Sequence, residues 1–321
     1  MTLSLREADI TRLLRMPDVI TAVEAAFRQQ GVGRAVNRPR QRITTDGSVM
    51  HVMSAALPDL GVMGLKAYSS APGGTRFVCM LYSTETGELL AVMEANRLGQ
   101  MRTGAASAVA AKYLARPESG AVGIIGTGWQ ARSQIAALAV VRPVALVKAY
   151  SRDLPRRTAF AEEMTDELGA DVVAVDSAAE AVADADIVVT ATSARDPVVA
   201  GQWLRPGMHV TAVGSNWAAR RELDADAVAR ADRIVVDDLE QARIESGDLI
   251  APADEGLLDW SQVSDLGAVV AGNAEGRRAG EEITLFESQG IALEDVAAMK
   301  LAYELAVAQG VGETLAQHRE S

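Results

Sequence analysis

"SGAVGIIGTGWQARSQIAALAV", residues 119–140, is the stretch on which the fold reading turns. A short apolar run, Ala121 to Ile125, stops at Gly126-Thr127-Gly128-Trp129-Gln130-Ala131 and passes directly into a segment with helical apolar spacing. The pattern G-x-G-x-x-A is weak alone. Between a strand and a helix it marks a βαβ unit that binds a dinucleotide. Gly126 permits the tight turn, Gly128 lets the backbone approach a pyrophosphate, and Ala131 lets the helix pack close to the strand. The helix's first N–H groups and its positive dipole end then favour the phosphates.

The chain beyond residue 140 repeats this alternation. "VALVKAYSR", "DVVAVDS", "DIVVTATS", "MHVTAVGS" and "DRIVVDD" read as short apolar strands, several of them separated by helical segments. That is the mark of a parallel sheet covered on both faces. Residues 1–115 read differently. "SLREADITRLL" and "PDVITAVEAAFRQQG" are helical; "PRQRITT" and "SVMHVMSAALP" flank an Asp46-Gly47 turn; "RFVCMLYS" and "ELLAVMEA" flank Glu85-Thr86-Gly87. A strand, "MGLKAYSS", lies between the two hairpins, and an Ala-rich helix follows Asn96. The tail from "TLFESQGIALEDVAAMKLAYELAVAQG" reads as helix returning to the first domain. The expected fold class is α/β: a Rossmann-type doubly wound parallel sheet over 116–299, and a discontinuous α+β substrate-binding and dimerisation domain over 1–115 and 300–321.

Composition narrows the function. The 321 residues are 49% hydrophobic with 4% aromatics, which suits an α/β enzyme. The net charge of −12 divides unevenly, +4 over residues 1–115 and −16 over the rest. An acidic body argues against nucleic acid and anionic membrane as partners, and a locally basic first domain fits a small anionic substrate. The single cysteine, Cys79, sits in the apolar "RFVCMLYS", where a buried inert thiol is expected, and no metal site is expected. Neither a signal peptide nor a membrane span is expected, so the chain reads as cytoplasmic.

At the end of the second strand an NAD site usually places a carboxylate for the ribose 2′-OH. Here Ser151 takes that place with Arg152 beside it, which favours NADP(H) over NAD(H). For substrate, Arg38, Arg40 and Arg42 alternate in "NRPRQRI" and share a face if extended, Lys66 interrupts an apolar strand, and Arg102 lies in the first two turns of the Ala-rich helix. Together they could converge on one carboxylate, each charge-assisted bond contributing roughly 1.5–3 kcal/mol.

At these residues the chain resembles the ornithine cyclodeaminase/μ-crystallin family. The likeness runs through "MGLKAYSS", "GELLAVMEANRLGQMRTGAASAVAAKYLARPES", "GIIGTGWQARSQIAAL", "AVGSNWAARREL" and "RIVVDDLEQARIESGDL". It implies a homodimer that passes hydride between a nicotinamide and the α-carbon of an amino or imino acid. It implies that Arg40, Lys66 and Arg102 bind the substrate carboxylate, with Lys66 near the reacting carbon and Met53 lining the pocket. His51 falls where ornithine cyclodeaminase has an acidic residue, which puts ornithine in doubt as substrate; His51 reads as a candidate proton donor. The cofactor set is completed by Arg102, Thr103, Ala191, Thr192, Val213, Gly214 and Ser215. Asn216 stands where the cyclodeaminase and alanine dehydrogenase members carry aspartate. An amide hydrogen-bonds but removes no proton, so Asn216 favours reduction of a preformed imine. The expected activity is a ketimine reductase that forms L-proline or L-pipecolate from the cyclic imines Δ1-pyrroline-2-carboxylate or Δ1-piperideine-2-carboxylate. An amino-acid dehydrogenase, an ornithine cyclodeaminase and a non-catalytic NADPH-binding protein are the alternatives.

Overall fold

A computed structural model describes residues 2–315. In chain order it shows β1 (Thr2–Leu5), α1 (Glu7–Leu13), α2 (Met16–Gly31), β2 (Val36–Thr44), β3 (Val49–Leu57), β4 (Val62–Ala71), β5 (Gly74–Ser83), β6 (Leu89–Glu94) and α3 (Asn96–Leu114). Next come β7 (Ala121–Ile125), α4 (Trp129–Val141), β8 (Leu146–Tyr150), α5 (Leu154–Leu168), β9 (Asp171–Ala174), α6 (Ala178–Val182), β10 (Ile187–Thr190) and β11 (His209–Ala212). The last elements are α7 (Ala225–Ala229), β12 (Arg233–Val236), α8 (Leu239–Glu245), α9 (Gly247–Asp254), β13 (Val263–Asp265), α10 (Leu266–Val270), β14 (Thr284–Glu287), α11 (Ala292–Gln309) and β15 (Glu313–Leu315). Among the described residues no helix is long and apolar enough to cross a membrane.

The chain divides into two units, one running to Arg102 and resuming at Ile291, the other Thr103–Gly290. These limits replace 115/116 and 299/300. The reason is packing. Ala111 and Ala115 share a core with Val122 and Ile124 of the parallel sheet, while α11 packs along its length on α2, β3 and β4. Residues 316–321 of the expected segment 300–321 lie outside the described residues.

The second unit carries an eight-stranded sheet in the order β13-β12-β14-β11-β10-β7-β8-β9, every pairing parallel. Read from β9, the first five strands follow the doubly wound order 3-2-1-4-5, and β14, the last strand in the chain, takes the place beside β11 ahead of β12 and β13. The direction of winding reverses between β7 and β10, so the crevice at their carboxyl ends is the ligand position that this topology dictates. Thr284–Glu287 corrects the helical reading of the tail. It is a fully buried strand between β11 and β12, and a four-residue apolar run is ambiguous in periodicity until its neighbours are known.

The first unit carries a seven-stranded sheet, β15-β1-β6-β5-β4-β3-β2, antiparallel except at β15's neighbour β1, which runs parallel to β6. Thr2–Leu5, inside a segment with helical composition, is drawn into β1 by partners at residues 91–93 and 313–315. Helix α11 covers one sheet face closely: a Cβ on Gly64 would stand 3.0 Å from Met299 Cε and 2.7 Å from the Met80 carbonyl. The opposite face keeps Val36, Met50, Met63 and Val78 exposed.

One register detail changes the basic arm. Between Arg38 and Gln41, β2 bulges, so that Arg38 pairs with Ser54 but Arg42 pairs with His51. Pro39 has no N–H for the ladder, and bulges are where strands accept proline. Because the inserted residue shifts the alternation, Arg38 turns to the exposed face with Ser54, while Arg40 is buried beside Met53. Arg38, Arg40 and Arg42 therefore do not share one face.

Candidate active site

The covered face of the first unit gathers the cations. Opposite residues of antiparallel strands share a face, and the register sets Met53, Lys66 and Cys79 in one row and Arg42, His51, Tyr68 and Phe77 in the next. Arg40 joins the first row, its Nε 3.4 Å from Met53 Sδ. Arg40, Lys66 and Arg102 are all at least nine-tenths buried. Helix α11 brings the counter-charges: Lys66 Nζ donates to Asp295 Oδ1 at 2.9 Å, Arg102 Nε lies 3.0 Å from the same oxygen, and Arg102 Nη1 donates to Glu294 Oε2 at 2.6 Å. Neither carboxylate was legible as functional from "GIALEDVAAMK", which reads as ordinary helix. A buried acidic pair at the start of an apolar helix is the signal that could have found them, since such charges occur buried almost only when paired.

The electrostatics follow from this crowding. Burial, then the Arg102 guanidinium, push the Lys66 ammonium down in pKa, and Asp295 pulls it back up. Burial pushes the Glu294 carboxyl up, against the pull of Arg102. Burial, then Arg42, Arg40 and Lys66, hold His51 at about 4. His51 is therefore neutral at pH 7, and it stacks on Tyr68 with ring centres 4.2 Å apart. A neutral stacked imidazole weakens the proton-donor reading. Burial also pushes the Cys79 thiol up, which makes it inert.

The second unit holds the cleft. A cavity of about 860 Å³ lies at the carboxyl ends of β7, β8, β10 and β11, within the range of ligand pockets. Gly126, Thr127, Gly128, Trp129, Gln130, Ser151, Arg152, Ala191, Thr192, Val213 and Gly214 line it, all from the expected set. The glycines show why they are needed. Gly126 has φ +104°, and a Cβ there would stand 2.3 Å from the Ala191 carbonyl; above Gly128 the space is open. An open glycine at a helix start is what a pyrophosphate requires, so the residues present fit a dinucleotide.

Four expected cofactor residues, and Asn216, stand elsewhere. Ala131 is sealed in the core under the helix, which serves the close packing expected of it. Ser215 is absent from the lining and hydrogen-bonds Trp217 N. Arg102 and Thr103 sit on α3 at the division between the units, both buried. Asn216 is half-buried in the loop after β11.

The end of β8 supplies Tyr150, Ser151, Arg152 and Asp153 to the cleft. Asp153 is the N-cap of α5, its carboxylate accepting the Arg156 N–H at 3.1 Å. Ser151 Oγ accepts from Thr127 Oγ1 at 2.8 Å. Arg152 and Arg156, the second unforeseen, both line the cleft.

The model of the ornithine cyclodeaminase/mu-crystallin family matches residues 2–310. The chain belongs to this family. It is 37% identical over 322 residues to an alanine dehydrogenase of Archaeoglobus fulgidus, covering 98% of each chain. Among solved structures, a Thermococcus litoralis Δ(1)-pyrroline-2-carboxylate reductase in complex with NADH and L-proline matches with TM-score 0.94 and 39% identity, over 98% of this chain and 100% of that one. An archaeal alanine dehydrogenase dimer with bound NAD matches with TM-score 0.92 and 36% identity, over 98% and 99%.

Proposed function

We propose that this NAD(P)-dependent oxidoreductase works toward reduction, converting a cyclic imino acid such as Δ1-pyrroline-2-carboxylate or Δ1-piperideine-2-carboxylate to L-proline or L-pipecolate. One observation carries the reading: Arg40 and Lys66, buried on one sheet face, and Arg102, buried on α3 and joined to Lys66 through Asp295, are distant in sequence and form a receiver for a carboxylate. A bound nicotinamide dinucleotide supplies the hydride. The chain's residues bind and orient the carboxylate, and orientation of this kind accounts for much of such catalysis. Lys66, its ammonium made more acidic by burial and held on Asp295, is the proton source for the imine nitrogen. Asn216 offers hydrogen bonds but no base, which a dehydrogenase acting on an ammonium needs and an imine reductase does not.

NADPH is the favoured cofactor. Ser151 presents no anion, Asp153 caps α5 through Oδ1, and Arg152 and Arg156, which line the cleft beside it, suit a 2′-phosphate. The chain acts as a homodimer, its exposed apolar sheet face of Val36, Met50, Met63 and Val78 covered by a second copy.

The test is NADPH and NADH oxidation at 340 nm with each cyclic imine, beside pyruvate with ammonia, and ammonia release from L-ornithine. Imine-dependent oxidation alone supports the proposal. Turnover restricted to pyruvate with ammonia, or ammonia from ornithine, overturns it.

A further inference from the structure

We propose that Glu222 is a positioning residue for the cofactor: its buried carboxylate pins the two strand ends that border the cleft and closes the loop that carries Asn216. Glu222 is 1% exposed. Its Oε1 accepts the Thr192 N–H at 2.7 Å, and its Oε2 accepts the Gly214 N–H and the Thr190 hydroxyl, each at 2.7 Å. Thr192 and Gly214 line the cleft just beyond the ends of β10 and β11, and Thr192 packs against the Gly126 turn. One side chain thus ties two walls of the cleft together. The bond to Gly214 also shuts residues 214–222 into a closed loop, and Asn216 lies inside it.

The anchor is itself held on both sides. Asp248 Oδ1 accepts the N–H groups of Glu222 and Leu223 at 2.8 and 2.7 Å, and the Glu222 carbonyl accepts from Val198 and Val199 at 2.7 and 3.0 Å. Gly214 completes the arrangement: a Cβ there would stand 2.3 Å from the Glu222 carboxylate, so no larger residue admits it so close. Two of the three donors are main-chain N–H groups, which can only donate, so each requires an acceptor. Walls fixed before binding spare the ligand the ordering cost that loose loops would impose. The inference rests on the cleft holding a nicotinamide dinucleotide and not on which imino acid is reduced.

Glu222→Gln tests it while keeping the side chain's shape. Wherever the amide turns, its NH2 meets either Thr192 N–H or Gly214 N–H, and one wall is released. NADPH and NADH are titrated against wild type and variant by tryptophan fluorescence, with thermal unfolding measured alongside. The dissociation constant of the better-bound dinucleotide is expected to rise tenfold or more in folded Glu222→Gln. At saturating dinucleotide kcat is expected to fall as well, because the Asn216 loop is loosened. Thr190→Val removes one bond of the three from outside the cleft and is expected to weaken binding about threefold, the double variant being no weaker than Glu222→Gln. A lowered Tm with dinucleotide binding within twofold of wild type, in either variant, overturns the proposal. Wild-type protein that binds neither dinucleotide overturns the cleft assignment, and this inference with it.

Discussion

Replacing Asp295 by asparagine removes one charge from the cationic face and leaves its shape. Asp295 Oδ1 accepts from Lys66 Nζ at 2.9 Å and lies 3.0 Å from Arg102 Nε as an ion pair; an asparagine Oδ1 can still accept from Lys66, but the charge facing Arg102 is lost. What is lost is charge assistance. A bond to a charged group contributes roughly 1.5–3 kcal/mol and a neutral one about 0.5–1.5, so the Lys66 bond loses about 1–1.5 kcal/mol, and with the lost attraction for Arg102 the total is about 2 kcal/mol. Complete rupture of a buried pair, about 3–5 kcal/mol, is the upper bound. Urea unfolding followed by tryptophan fluorescence, at fixed protein concentration, measures the loss. A cycle with Lys66→Met should show a coupling of about 1–2 kcal/mol, the size seen for residues in one network. A second readout is independent of stability. Asp295 holds the Lys66 pKa up, so its neutralisation moves the basic limb of kcat/KM to lower pH. A stability loss below about 0.5 kcal/mol, with an unmoved basic limb, would refute the reasoning that the ion pairs organise this face.

Three further outcomes are expected. Asp248 is held at about 7 by burial, against an ordinary value of 3.8. Between those values the folded state binds the extra proton, so this group's contribution makes stability fall as pH rises from about 4 to 7 and level off above. Asp248→Asn, whose Oδ1 can keep both main-chain bonds, should remove that part of the slope, read as the difference in urea midpoints between pH 5 and pH 8. Ser151→Asp should shift the ratio of KM for NADPH to KM for NADH by tenfold or more toward NADH, and an unchanged ratio would remove the basis for the NADPH preference. Asn216→Asp should raise amino-acid-dependent reduction of NADP+ or NAD+ at least tenfold at pH 9 by supplying a base; no gain would remove Asn216 from the argument about direction.

The cofactor half of the site was legible because it is local. Gly126 to Ala131 fold within one strand-turn-helix, and each residue's role follows from φ or from the absence of a side chain. The cleft accordingly contains most of the residues that the G-x-G-x-x-A run and the strand ends suggested. The residue types Arg40, Lys66 and Arg102 could also be picked out in sequence, because a cation inside apolar strand or Ala-rich helix needs a reason. Their partners could not. Asp295 lies 229 positions from Lys66 and Glu222 lies 32 from Thr190, and such pairings exist only once the sheets have formed and α11 has been laid across them. The same holds for strand against helix at Thr2–Leu5 and Thr284–Glu287, where neighbours decided what four residues could not. The bulge at Pro39, which parts Arg38 from Arg40 and Arg42, depends on the facing strand β3. Sequence alone determined the dinucleotide turn, the alternating second unit and the supply of cations. Tertiary structure decided which cations are buried together, which carboxylates hold them and what anchors the cleft, because buried charge is tolerated only where a distant partner meets it.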